Sequence, residues 1–127
     1  MARPPATDLT GRELEVMHVY WAGGELTAAD ARDRLAQAGR DLSYPTVANL
    51  VRGLQDKGFL DPTNAERPFR YVAVRSYEEV SGRLLTDLVS RVFRGSREQL
   101  FVRLLDGRKL TSREREILEG LLQEGAS

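Results

Sequence analysis

Residues 43–58 read SYPTVANLVRGLQDKG and residues 59–74 read FLDPTNAERPFRYVAV; between them the hydrophobic period changes from that of a helix to that of a strand. In the first stretch Val47, Leu50, Val51 and Leu54 fall at i, i+3, i+4 and i+7, one stripe of a helix. Ser43 stands where a cap belongs, and Pro45 is tolerated because first-turn N–H groups have no partner inside a helix. Lys57-Gly58 stops the run. In the second stretch Phe59-Leu60 leads into a turn through Asp61-Pro62-Thr63-Asn64, after which Phe69, Tyr71 and Ala73 alternate with Arg70 and Val72. The expected unit is a helix followed by a two-stranded hairpin with arginines on its far side.

Upstream, a helix over about 10–22 presents Leu14, Val16, Met17 and Trp21 as a core face and ends at Gly23-Gly24. A second, over 27–38, is rich in alanine, anchored by Leu35 and closed by Gly39. Tyr20 and Trp21 are assigned to packing and His18 to the surface. Downstream only helical stripes follow: Leu84, Leu85, Leu88, Val89, Val92 and Phe93; then Leu100, Phe101, Leu104 and Leu105; then Ile117, Leu118, Leu121 and Leu122, joined at Arg94-Gly95 and Asp106-Gly107. Five helix starts carry a hydroxyl residue with an acid or amide three positions later: Thr10/Glu13, Thr27/Asp30, Ser76/Glu79, Ser96/Gln99 and Thr111/Glu114. The fold class is therefore mostly α, a winged helix-turn-helix of three helices and a two-stranded wing with a C-terminal helical region. The domains are a flexible arm at 1–8, a winged-helix domain at 9–75 and a helical dimerisation domain at 76–127.

The third helix differs from the others at its start. Its third position is Thr46, so neither an acid nor an amide stands there to block an incoming phosphate. Tyr44, Thr46, Ala48, Asn49 and Arg52 lie on or beside the face opposite its apolar stripe, and Ser43 at the cap joins them as a candidate DNA contact. These side chains suit a major groove: Asn can bond adenine bidentately, Arg can take guanine or phosphate, and the Thr methyl can meet that of thymine. Arg67 and Arg70, with Arg75 beyond, are the wing's cations and suit phosphate or minor-groove contact. Gly53, unfavourable inside a helix, marks a close approach to its backbone by either a neighbouring helix or DNA.

Composition narrows the classes. No apolar run approaches the roughly 18 residues of a membrane span, and no signal peptide opens the chain, so a cytoplasmic location is expected. With no cysteine and one histidine, neither a thiolate site nor a multi-histidine metal site can form, and no cofactor is implied. No phosphate loop or nucleophile–base pair suggests an enzyme, and Glu13 and Glu15 are read as solvated surface. Lys and Arg number 19 against 19 acids, but residues 40–75 hold Arg40, Arg52, Lys57, Arg67, Arg70 and Arg75 against Asp41, Asp56, Asp61 and Glu66. So slight a local excess grips DNA weakly unless it is doubled. The short apolar stripes need burial from somewhere, either in a private core closing over the winged domain or in a dimer interface. The dimer is favoured, since a homodimer through Leu84, Leu85, Leu88, Val92, Leu100, Leu104, Ile117 and Leu121 satisfies both demands. Two-fold symmetry then implies a pseudo-palindromic site on double-stranded DNA. The neutral total charge keeps open an alternative, a winged module that binds protein rather than DNA.

From Leu9 to Leu122 the chain resembles the penicillinase-repressor (BlaI/MecI-type) family of winged-helix transcriptional regulators. The likeness rests on LTGRELEVM at 9–17 followed by Trp21, on SYPTVANLVRGLQDKGFL at 43–60, and on RPFRY at 67–71. The resemblance implies a homodimeric repressor that binds an operator through the third helix and wing and dimerises through its C-terminal helices. In the proteolytically induced members an Asn-Phe bond is cut in the helix before the last; the corresponding positions here are Arg103-Leu104. The copper-responsive members carry a C-terminal cysteine cluster that this chain lacks.

Overall fold

Hydroxyl side chains open the helices, and each makes the bond that its position implies. In the computed structural model, which describes residues 9–106, 111–114, 116 and 117, the side-chain oxygens of Thr10, Thr27, Ser43, Ser76, Ser96 and Thr111 each accept from the N–H three residues on. Thr10/Glu13, Thr27/Asp30 and Thr111/Glu114 also make the reciprocal bond. Glu79 instead reaches the Nε of Arg75, at 3.5 Å. The elements are α1 (Gly11–Gly23), β1 (Leu26–Thr27), α2 (Ala28–Gln37), α3 (Tyr44–Asp56), β2 (Leu60–Pro62), β3 (Arg70–Ala73), α4 (Tyr77–Arg91) and α5 (Arg97–Leu105). Residues 112–114, 116 and 117 are also helical. The arm at 1–8, Gly107, Leu118, Leu121 and Leu122 lie outside the described residues.

The strands form one antiparallel sheet in the order β1-β3-β2. Two strand expectations change. Leu26 and Thr27 add a third strand, pairing with Tyr71 and Arg70; a two-residue strand is too short to show a period, so the neighbouring strand defines it. Asp61 and Pro62 belong to β2 rather than to the turn, opposite Val72 and Tyr71. Proline fits there because β2 is an edge.

The core gathers Val16, Met17 and Tyr20 from α1, Ala31 and Leu35 from α2, Val47, Val51 and Leu54 from α3, Phe59 and Leu60 after it, and Val80 from α4. Trp21 lies at its margin, where the indole N–H donates to the carbonyl of Arg75 (2.9 Å) and the ring meets those of His18 and Tyr77 edge-on. The buried stripe of α1 is Glu13, Val16, Met17 and Tyr20, shifted from the expected one. Glu13 is accordingly not solvated surface: Lys57 Nζ stands 2.8 Å from its Oε1, and a Cβ built on Gly53 would stand 3.2 Å from its Oε2. The close approach to Gly53 thus comes from α1. Burial alone would raise the Glu13 carboxyl, but hydrogen bonds from Lys57 and Thr10 outweigh it and hold the group below the ordinary carboxylate range. Glu15, half-buried, is engaged by the Arg40 guanidinium, whose Nε lies 3.0 Å from it.

The chain divides into two compact units between Asp87 and Leu88, inside α4. In the first, Val80 is buried and Leu84 packs partly on the same core. In the second, α5 has no buried residue.

Candidate nucleic-acid interface

The first turn of α3 holds no acidic residue, and its cap is compact: Ser43 Oγ donates to Thr46 Oγ1 at 2.9 Å and accepts from the Thr46 N–H. Because Val47, Val51 and Leu54 face inward, Tyr44, Asn49 and Arg52 are exposed and Thr46 is half-exposed. The wing tip is tied by Asn64. Its amide donates to the carbonyls of Glu66 (2.9 Å) and Pro68 (3.1 Å), and its oxygen accepts from the Arg70 N–H (2.9 Å). That loop exposes Arg67, whose guanidinium lies 6.0 Å from the centre of the Phe69 ring.

A cleft of about 630 Å³ runs between the start of α2, the outer face of α3 and the wing, bringing Tyr44, Arg52 and Arg67 together. It also takes in Thr27, Ala28, Gln55 and Phe69, which were not marked in the sequence. Gln55 could have been found, one residue beyond the apolar Leu54 on the same helix; Thr27 and Ala28 could not, since only the fold carries α2 to that place. Ser43, Thr46, Asn49 and Arg70 lie outside this cleft. Arg70 sits on β3 opposite Thr27. The Asp30 carboxyl, held low first by its bond from the Thr27 N–H, is lowered further by the charge of Arg70.

The cations of residues 40–75 separate into two groups. Arg40 pairs with Glu15, Lys57 with Glu13, and Arg75 with Glu79. Arg52, Arg67 and Arg70 are exposed and make no ion pair within 4.0 Å among the described residues. Arg75 is therefore not a wing contact: it is 6% exposed, with its guanidinium carbon 4.8 Å from the centre of the Phe59 ring. Stacking on an aromatic face and pairing with Glu79 compensate its burial.

Of the residues marked for dimerisation, Leu85, Leu88, Val92, Leu104 and Ile117 are exposed, Val92 by 64% and Leu104 by 60%. Leu100 is half-buried, Leu84 packs partly on the winged core, and Leu121 lies outside the described residues.

Three helices with a small sheet whose hairpin flanks the third helix define a winged-helix protein. Solved structures share this fold: the complex structure of hsRosR-S1, with TM-score 0.56 and 15% identity, covers 95% of each chain. A MarR family protein from Bacillus stearothermophilus, TM-score 0.50 and 15% identity, matches over 92% of this chain and 72% of that one. The chain belongs to the penicillinase repressor family, whose model matches residues 9–124. Its relatives include the methicillin resistance regulatory protein MecI of Mammaliicoccus sciuri, 23% identical over 117 residues covering 92% of this chain and 94% of that protein. MecI of Staphylococcus aureus strain N315 is 22% identical over the same shares. By family the protein is a DNA-binding transcriptional repressor, not an enzyme. Among the described residues, no helix is long and apolar enough to cross a membrane.

Proposed function

We propose that two copies of this chain, joined through their C-terminal helices, bind one pseudo-palindromic operator in the cytoplasm and block transcription from it. Each copy sets α3 in the major groove, where Asn49 and Arg52 read base edges and Tyr44 and Thr46 contact the backbone or a thymine methyl. Ser43 and the Tyr44 N–H at the start of α3 receive a phosphate. Arg67 and Arg70 hold the adjacent backbone from the wing.

The observation that carries this reading is the separation of the cations: among the described residues the arginines around α3 and the wing make no ion pair, whereas the others of that segment are matched by acids. Three such arginines per copy are a small electrostatic grip. Two copies offer six cations, for which counterion release sets a slope of about −5 in log affinity against log salt. The exposed apolar residues of α4 and α5 supply the surface that would join the copies.

The test is nuclease footprinting on the DNA upstream of its own gene over a range of salt concentrations. Two protected half-sites about one or more helical turns apart are expected, with affinity falling steeply as salt rises. Absence of a protected sequence even at low salt overturns the reading.

A further inference from the structure

We propose that Glu13 is a positioning residue for DNA reading: its ion pair with Lys57 and its close approach to Gly53 set the roll of α3 and thereby aim Asn49 and Arg52. The inference rests on the operator reading above.

Glu13 is tethered at both ends. Its Oε1 accepts from the Thr10 N–H at 2.9 Å, and its own N–H donates to Thr10 Oγ1 at 3.1 Å, so the carboxylate is held by the first turn of α1. Across the helix interface the same oxygen takes Lys57 Nζ at 2.8 Å, at the C-cap of α3. Its other oxygen occupies the space that a Cβ at Gly53 would crowd. Gly53 immediately follows Arg52, and Asn49 lies one helical turn before it.

The buried residues of α3 are all apolar: Val47, Val51 and Leu54. Apolar burial is non-directional: it fixes how deeply a helix sits more firmly than how it is rolled. Helix side chains reach roughly 5–6 Å from the axis, so a roll of 10° moves their ends by about 1 Å. That exceeds the window of about 0.5 Å within which an N–H···O bond keeps its strength. A directional ion pair at one end of α3 resists such a roll. Buried ion pairs often add little net stability, which leaves geometry as the main consequence of this one.

The test uses the full-length protein. The wild type first enriches duplexes from a random-sequence library, and affinities are then measured for the best enriched duplex and for a shuffled duplex of the same composition. E13Q keeps the side chain's shape and its capping ability but removes its charge; K57M removes the partner; G53A keeps both charges and pushes on the carboxylate. Each is expected to lose about tenfold in affinity for the enriched duplex and less than about twofold for the shuffled one. The E13Q/K57M double variant should lose no more than either single variant, and K57R should retain most of the discrimination.

An unchanged ratio of specific to shuffled affinity in folded E13Q, K57M and G53A overturns the inference. Should E13Q or K57M fail to fold, G53A decides alone. If the wild type enriches no duplex, the operator reading fails first and takes this inference with it.

Discussion

The winged unit and the helical tail place their large apolar side chains in opposite ways. Met17, Leu54, Phe59 and Leu60 are wholly buried in the first, whereas Val92, Leu104 and Ile117 are half or more exposed in the second. One unit closes its own core, while the described residues of the other leave large apolar side chains at the surface. The helical pattern is equally regular in both, so regularity alone does not tell a core from an interface.

The contrast breaks most visibly in the core. Phe59→Ala should cost about 3–5 kcal/mol, seen as an early denaturant midpoint for the winged unit. Leu104→Ala should leave that midpoint within about 0.5 kcal/mol. An equal loss from both would mean that the tail closes a core of its own. For the interface, Leu88→Glu with Val92→Glu should give monomers in sedimentation and lower operator affinity about a hundredfold, because bivalent binding is lost. A dimer of unchanged stability would place the interface elsewhere.

Smaller effects sharpen the comparison within the winged unit. Asn49→Ala or Arg52→Ala should cost about 1–3 kcal/mol of operator affinity and relax sequence preference. Arg67→Ala should weaken all duplexes alike and flatten the salt slope by about 0.9 per copy. If Asn49→Ala and Arg52→Ala left DNA binding intact while association with a protein partner failed, the module would be a protein binder. The smallest effect is that of acid. Glu13 is held below the ordinary glutamate value of about 4.3 in the folded state, so its stabilisation is complete above that value and is lost as pH falls through the lower folded one. Melting temperatures of the wild type should therefore drop faster below about pH 5 than those of E13Q; parallel curves would show that Glu13 does not contribute.

Much of this was legible along the chain. The caps, the glycine stops and the change of period at Phe59 depend on neighbours three or four residues away or on alternation along a strand, and those neighbours are written in order. Asn49 and Arg52 were legible as an outer face because Val47, Val51 and Leu54 define the inner one. Glu13 was less legible, although its spacing to Val16, Met17 and Tyr20 is that of a buried stripe. The carboxyl group argued for solvent, and its partner lies 44 residues away.

What the sequence alone determined is the set of elements and their apolar faces, since these follow from local hydrogen bonding and from helix and strand periods. The tertiary structure decided which charges remain available. Arg40 and Lys57 find acids 25 and 44 residues distant, and Arg75 turns inward over Phe59. Counted along the chain, these three were part of the same basic segment as Arg52, Arg67 and Arg70. They are separated only by what packs across from them, because a cation's availability depends on the groups within a few ångströms in space and not on its neighbours in the chain.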